Sequence, residues 1–153
     1  ASESLADRDR ADRQADHARD RLDEEGYPAA VRRVEYVPTR SPGSSLLLRG
    51  VYERTLTGTA ALGERGRTSE AVADDAVQRF IAHHDGGAPV DTHTADQLMV
   101  FLALAGGRVR IPAATAHVRT NLDVIAAFGS DIRLGRQPDG TLVLAASAHP
   151  VVD

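Results

Sequence analysis

The segment Asp85-Gly86-Gly87-Ala88-Pro89 limits the possible folds of this 153-residue chain more than any other feature of its sequence. Two glycines followed closely by a proline interrupt helices and strands alike, so the segment is predicted to be a short, flexible, polar linker. The hydrophobic fraction of 42% is that of an ordinary globular protein. The sequence therefore predicts two small domains, over residues 1–88 and 89–153, in place of one continuous core.

The first part of the chain alternates between helix and strand patterns. Apolar residues recur at helical spacing in two stretches, and polar turns such as Ser41-Pro42-Gly43-Ser44 separate the strand patterns between them. The predicted elements are a helix over residues 5–25, strands over residues 30–37 and 45–56, a further strand starting near Gly58, and a helix from Thr68 or Ser69 to about residue 84.

The second part repeats this mixture. The almost unbroken apolar run over residues 98–105 predicts a helix that is buried on most sides, and Gly106-Gly107 ends it. The predicted elements are a helix over residues 94–105, a strand over 108–111, a short extended stretch over 115–118, a helix opened by the capping box Thr120-Asn121-Leu122-Asp123, and a hairpin of strands 132–136 and 141–146. This order favours an α+β fold, in which two helices cover one face of a small sheet in each part.

The charged residues exclude several classes of chemistry. All 18 basic residues are arginine, and neither lysine nor cysteine is present. A lysine nucleophile, a P-loop lysine, a disulfide and a thiolate metal site are therefore excluded within this chain. The net charge of −4 argues against a protein that binds nucleic acid through general basicity.

The arginines of the first predicted helix permit two interpretations. Because aspartates alternate with them, the simpler interpretation is a solvated helix with ion pairs three or four residues apart. The alternative is a helix that faces RNA, since the guanidinium group presents a rigid fork of donors to phosphate oxygens.

Two of the six histidines have neighbours that suit phosphate chemistry. His93 shortly precedes Asp96-Gln97, which places a ring, a carboxylate and an amide near the start of one helix, where free N–H groups attract phosphates. His117 directly precedes the predicted helix start at Thr120-Asn121. A histidine held between two helix N-termini suits nucleophilic attack on phosphorus, and the residue types leave open the alternative of a structural histidine at a strand end.

Two blocks of the second part carry a more specific pattern. The first reads Asp91-Thr92-His93-Thr94-Ala95-Asp96-Gln97-Leu98 and continues to Gly106-Gly107, and the second reads Thr115-Ala116-His117-Val118-Arg119-Thr120-Asn121. They resemble the DE(Y/H)xxDQLxxxxALAxG and TxHxxTN blocks of RNA 3′-terminal-phosphate cyclases. The first part also resembles archaeal members of that family, in the stretches AERQA, SPGSG and ALGERGK at residues 11–15, 41–44 and 61–67. Order and spacing match along nearly the whole chain.

The resemblance implies a fold and a reaction. The fold is that of the family's smaller inserted domain, followed by the C-terminal part of a large domain built from repeated sheet-and-two-helix units, similar to that of enolpyruvate transferases. The reaction is the ATP-dependent conversion of an RNA 3′-terminal phosphate to a 2′,3′-cyclic phosphate. It passes through a covalent histidine–AMP intermediate and an RNA-adenylate, with a divalent cation, Mg²⁺ or Mn²⁺, beside the phosphates.

The resemblance also implies roles for individual residues. By position, His117 is the adenylated nucleophile, and His93, Asp96 and Gln97 bind the nucleotide, with His93 stacked on the adenine. The metal ligands remain unknown. The chain departs from the family pattern at Thr92, where glutamate is usual, and at Arg67, where lysine is usual.

Family members are longer, so this chain is expected to be a C-terminal fragment that is inactive alone. The expected partner is RNA with a 3′-terminal phosphate. No apolar run reaches the length of a membrane span and no signal pattern is present, so a cytoplasmic protein without membrane contact is expected. The alternative function is that of a non-catalytic RNA-binding relative, and the presence of His117 with Asp96-Gln97 favours the enzyme.

Overall fold

The structure is a computed structural model that describes residues 1–31 and 33–147. The chain divides into two compact units between Ala82 and His83. Each unit combines helices with a small antiparallel sheet, which confirms the predicted α+β class. Among the described residues, no helix has both the length and the apolar character that crossing a membrane requires.

The first unit consists of a hairpin and two helices. A 3₁₀ helix, Glu3–Arg8, precedes them. The regular elements are α1 (Arg10–Glu24), β1 (Ser44–Val51), β2 (Leu56–Gly63) and α2 (Ser69–Asp85). The hairpin pairs Ser44 with Gly63 at one end and Val51 with Leu56 at the other.

Both helices of the first unit pack on one face of this hairpin. Ala18 and Leu22 of α1 are buried against Ala73, Val77 and Phe80 of α2, and strand residues of β1 complete the cluster. A smaller cluster joins α2 to β2. Alanines make up much of these two clusters, so this core closes with few large side chains.

The predicted first strand is wrong. Residues 30–37 form no strand in their described part, and Val37 makes only an isolated bridge to Ser2. The Tyr36 hydroxyl instead donates to Asp12 Oδ2 at 2.7 Å and accepts from the Ala11 N–H at 3.0 Å. This segment is therefore held on α1 by a side chain, although its alternating pattern suits a sheet.

Two further boundaries in the first unit differ from the prediction. The single helix predicted over residues 5–25 is interrupted at Asp9, which adopts a left-handed conformation with φ of 47°. The strand predicted over residues 45–56 is two strands, because the chain turns between Tyr52 and Thr55, with a 3.0 Å bond from the Tyr52 N–H to the Thr55 carbonyl. No glycine or proline marks this turn.

The second unit has two helices on a three-stranded sheet. Its elements are α3 (Thr92–Ala105), β3 (Gly107–Ile111), α4 (Ala116–Ala127), β4 (Ile132–Arg136) and β5 (Leu142–Ala146). The strand order is β3-β5-β4, and both pairings are antiparallel. Thus β3 and β4 run in the same direction, and α4 is the crossover that connects them.

The core of the second unit lies between these helices and the sheet. Met99 of α3, Ile111 of β3, Val118 of α4 and Leu144 of β5 are completely buried together. Because α3 leads back into β3 through Gly106, and β3 leads back into α4, both helices run in the same direction over the sheet. Their N-termini therefore lie at the same end of this unit.

Two predictions for the helices of the second unit are wrong. Residues 115–118 are not extended, because α4 already begins at Ala116 and Thr115 is its N-cap; the predicted capping box at Thr120 lies inside the helix. The apolar run of α3 is not buried on most sides either. Val100, Phe101 and Leu104 are 56%, 65% and 65% exposed, since the sheet and α4 cover only one side of this helix.

The buried position of Met99 gives a test of this core. Replacing Met99 by alanine is expected to lower the free energy of unfolding by about 2–5 kcal/mol, because it leaves a cavity among fully buried neighbours. Val100→Ala is the matched control, since the neighbouring side chain is exposed and its loss is expected to change stability by less than about 0.5 kcal/mol. Chemical denaturation measures both, and equal effects would contradict the described core.

The ion pair between α1 and α2 gives a pH-dependent test. Arg13 Nη2 donates to Glu70 Oε1 at 2.6 Å, and this bond is the main reason that the pKa of Glu70 falls from 4.5 to about 2. Because the pKa of Glu70 is lower in the folded state than in the unfolded state, the ion pair contributes fully to stability when the pH is above the unfolded pKa of 4.5. This contribution disappears as the pH falls through about 2.

The expected result is that Arg13→Gln raises the pKa of Glu70 toward 4.5, as followed by an NMR titration of its carboxyl carbon. Arg19→Gln is the control, because Arg19 pairs with Asp16 and Asp20 of its own helix. An unchanged Glu70 pKa in the Arg13 variant would show that the pair does not form in solution.

Candidate active site at two helix N-termini

His93 lies in the first turn of α3. The helix begins where it does because Asp91 is the N-cap, whose Oδ1 accepts from the Thr94 N–H at 2.6 Å. His93 is the second helical residue, and its side chain is exposed. The free N–H groups of a first helical turn carry partial positive charge, so this position suits contact with an anion.

His117 occupies the equivalent place in α4. Thr115 is the N-cap, and its Oγ1 accepts from the Val118 N–H at 3.2 Å. Val118 is completely buried, which anchors this turn on the core, whereas His117 beside it is exposed. Each histidine therefore follows its capping residue by two positions, at the start of a helix that the core holds in place.

A side-chain hydrogen bond connects the two helix starts. Asn121 Nδ2 of α4 donates to Asp96 Oδ1 of α3 at 2.5 Å. Asp96 follows His93 by three residues and Asn121 follows His117 by four, so each partner lies about one turn beyond its histidine, on the same helix face. The bond therefore fixes the two histidine-bearing turns relative to each other.

The four residues predicted for the site all lie on these two helices. His93, Asp96 and Gln97 share the first two turns of α3, while His117 lies on α4. The structure joins α3 to α4 through Asp96 and gives Gln97 an exposed position on the helix surface. His93 and His117 are both exposed, so the two imidazoles are accessible at the surface of this unit.

The donor set suits a phosphate group better than a metal ion. Two imidazoles and the free N–H groups of two first turns are available to phosphate oxygens and to a phosphorus atom. No group of three or more histidine, aspartate or glutamate side chains is placed to hold a metal among residues 1–31 and 33–147. Asp96 Oδ1 is moreover occupied by Asn121.

Sequence reasoning missed the role of Asn121 and the N-cap at Thr115. A signal for the cap was present, because a capping residue stands two positions before the histidine in both Asp91-Thr92-His93 and Thr115-Ala116-His117. The contact between Asp96 and Asn121 had no local signal, since 25 residues separate them in the chain.

Comparison with known proteins decides which family this chain belongs to. A family model described as the insert domain of RNA 3′-terminal phosphate cyclase (RTC) matches residues 2–85. A curated protein named RNA 3′-terminal phosphate cyclase, from Halobacterium salinarum, is 40% identical over 146 residues, which are 95% of this chain. The chain belongs to the RNA 3′-terminal phosphate cyclase family. The resemblance found in the motifs is thereby confirmed.

Other relatives in the cyclase family come from a second archaeal genus. Proteins with the same name from Saccharolobus islandicus and Saccharolobus solfataricus are 34% and 32% identical over 131 residues, or 84% of this chain. These residues are 39% of each Saccharolobus protein, and those matched in the Halobacterium protein are 41% of it. The chain thus spans about two fifths of the length of the curated relatives it matches.

The bond between α3 and α4 gives a test of the site's geometry. Asn121→Ala is expected to lower the free energy of unfolding by about 1 kcal/mol, because the half-buried Asp96 carboxylate loses its donor. Asp123→Ala changes an exposed side chain on the same helix and serves as the control. Urea denaturation compares the two, and equal stabilities would show that the bond does not hold the helices together.

Proposed function

We propose that the protein to which this chain belongs converts an RNA 3′-terminal phosphate to a 2′,3′-cyclic phosphate in an ATP-dependent reaction, with His117 as the nucleophile. One observation carries the proposal. His117 lies exposed in the first turn of α4, and the Asn121–Asp96 bond holds that turn beside the first turn of α3, which carries His93. The family membership supplies the reaction class.

The chemistry requires activation of the RNA phosphate. A phosphate monoester has no good leaving group, so the neighbouring 2′-hydroxyl cannot close a ring on it directly. In the proposed reaction an imidazole nitrogen of His117 forms a bond to the α-phosphorus of ATP, and the bond to the pyrophosphate oxygen breaks. An oxygen of the RNA 3′-phosphate then takes the adenylyl group and releases the histidine. The 2′-hydroxyl finally attacks the activated phosphorus, loses its proton and displaces AMP.

The residues of this chain contribute positioning and electrostatic stabilisation. The free N–H groups at the starts of α3 and α4 stabilise negative charge that develops on phosphate oxygens. The His93 ring is suited to stack on the adenine, while Gln97 and the remaining oxygen of Asp96 are suited to bind the nucleotide. A divalent cation, Mg²⁺ or Mn²⁺, would offset the phosphate charge.

The test is the intact mass of the longer polypeptide containing this chain, after incubation with ATP and MgCl₂. We expect one adduct with the mass of AMP, lost in mild acid because a phosphorus–nitrogen bond is acid-labile. His117→Ala is expected to abolish it, since no other described imidazole occupies this turn. His83→Ala on α2 is the control, and it is expected to retain the adduct.

Two outcomes would contradict the proposal. An AMP adduct on the His117→Ala protein would move the nucleophile to another residue. A parent protein that binds RNA but never forms an adduct would instead be a non-catalytic RNA-binding relative, with His117 a structural residue.

A further inference from the structure

A groove in the first unit is separate in sequence from the proposed active site. It has a volume of about 590 Å³ and lies between the amino-terminal segment, the start of β1 and the loop after β2. Arginines contribute to its lining from two parts of the chain: Arg8 and Arg10 from the 3₁₀ helix and the start of α1, and Arg65 and Arg67 from the β2–α2 loop. Its volume lies within the range of ordinary ligand sites.

The charge of this groove is opposite to that of the whole chain. Four arginines line it against one acidic residue, Glu64, although the chain carries a net charge of −4. Arg8 and Arg65 are exposed and make no hydrogen bond or ion pair with any residue that the structure describes. Two arginine side chains in the lining, Arg8 and Arg65, are thus available to an external anion, which Arg binds through two parallel hydrogen bonds.

The other two arginines hold the walls together. Arg10 Nη1 donates to the Arg67 carbonyl at 3.0 Å, which joins the start of α1 to the β2–α2 loop. The Arg67 guanidinium donates to the carbonyls of Leu62 and Ala71, each at 3.1 Å, and pairs with Asp75 at 3.3 Å. These contacts hold the start of α1, the β2–α2 loop and α2 together before any ligand binds.

The floor of the groove contains an unsatisfied polar atom. Gln14 is 2% exposed, its Nε2 donates to Ser44 Oγ at 2.9 Å, and its Oε1 has no hydrogen-bond partner within the described chain. Exchanging the two amide atoms leaves the nitrogen in the unpartnered position instead, as a buried donor. The buried amide therefore holds α1 to the start of β1 at the groove, and its unpartnered atom is itself out of reach of a ligand.

A glycine makes this floor possible. A Cβ atom at Gly63 would lie 2.0 Å from Ser44 Oγ and 3.3 Å from Gln14 Nε2. Gly63 pairs with Ser44 at the end of the hairpin, so the absence of a side chain there lets the Gln14–Ser44 bond form between α1 and the sheet.

We propose that this groove binds phosphate groups of a single-stranded RNA backbone. The inference rests on the RNA substrate of the proposed function, and it gives the first unit a binding site of its own. No aromatic side chain lines the groove, so it offers no surface on which bases stack. Recognition through arginine forks alone reads phosphates and is independent of base sequence.

The test is the affinity of the full chain for a fluorescent single-stranded RNA of mixed sequence, measured by anisotropy at several salt concentrations without ATP. The double variant Arg8→Gln/Arg65→Gln is expected to bind about tenfold more weakly at low salt. The slope of log affinity against log salt is expected to fall by about 1.4, because two phosphate contacts are lost and each accounts for about 0.7 on a single strand.

Arg49→Gln/Arg54→Gln is the matched control. It removes the same charge from the same unit, at the far end of the hairpin near the Val51–Leu56 pair, and is expected to keep the affinity within about twofold. Both double variants are expected to unfold at the same temperature as the wild-type protein, since none of the four arginine side chains holds another element in place.

Three outcomes would overturn the proposal. If the wild-type protein does not bind RNA at low salt, the groove is not an RNA site. Equal losses of affinity in the two double variants would show that only the overall charge matters. Displacement of the RNA by inorganic phosphate at the same phosphate concentration would identify a site for free anions. Because the assay contains no ATP and needs no adenylation, its failure is distinguishable from a failure to form the AMP adduct.

Discussion

The hydrogen bond from Asn121 to Asp96 is the contact on which the geometry of the candidate active site depends. Successive residues of a helix differ in direction by about 100°, so a shift of α4 by one residue would turn His117 away from α3. The core below the two helices limits their separation but not this fine rotation, because apolar contacts have little directional preference. The core therefore sets the distance between the two helices, and this one directional bond between half-buried side chains sets their rotation.

The two units fill the space between their helices and their sheet in different ways. In the second unit large side chains such as Met99 and Leu144 fill the space between helices and sheet. In the first unit alanines make up much of the core, and hydrogen bonds from Ser2, Gln14 and Arg67 hold the loops beside it. A core this small stabilises a fold only modestly. The hydrogen bonds in the loops therefore matter for the shape of the groove.

How much the sequence could predict depended on whether the deciding interaction was local. The helix ending in Gly106 and the hairpin of β4 and β5 were predicted within a few residues, because caps and turns are local signals. The start of α4 was misplaced because Thr115 and Thr120 both suit an N-cap, and the burial of Val118 decides between them. For the site, clustering on α3 was evident from spacing, whereas the contact with Asn121 required the tertiary fold.

The apolar side chains that α3 turns outward affect how this polypeptide behaves in concentrated solution. The exposed side chain of Leu104 lies one helical turn beyond those of Val100 and Phe101. The three therefore form one continuous apolar surface on α3. Exposed apolar surfaces of this kind favour association between molecules, and a net charge of only −4 opposes that association weakly. The intensity of light scattered by this chain is therefore expected to rise more steeply than its concentration.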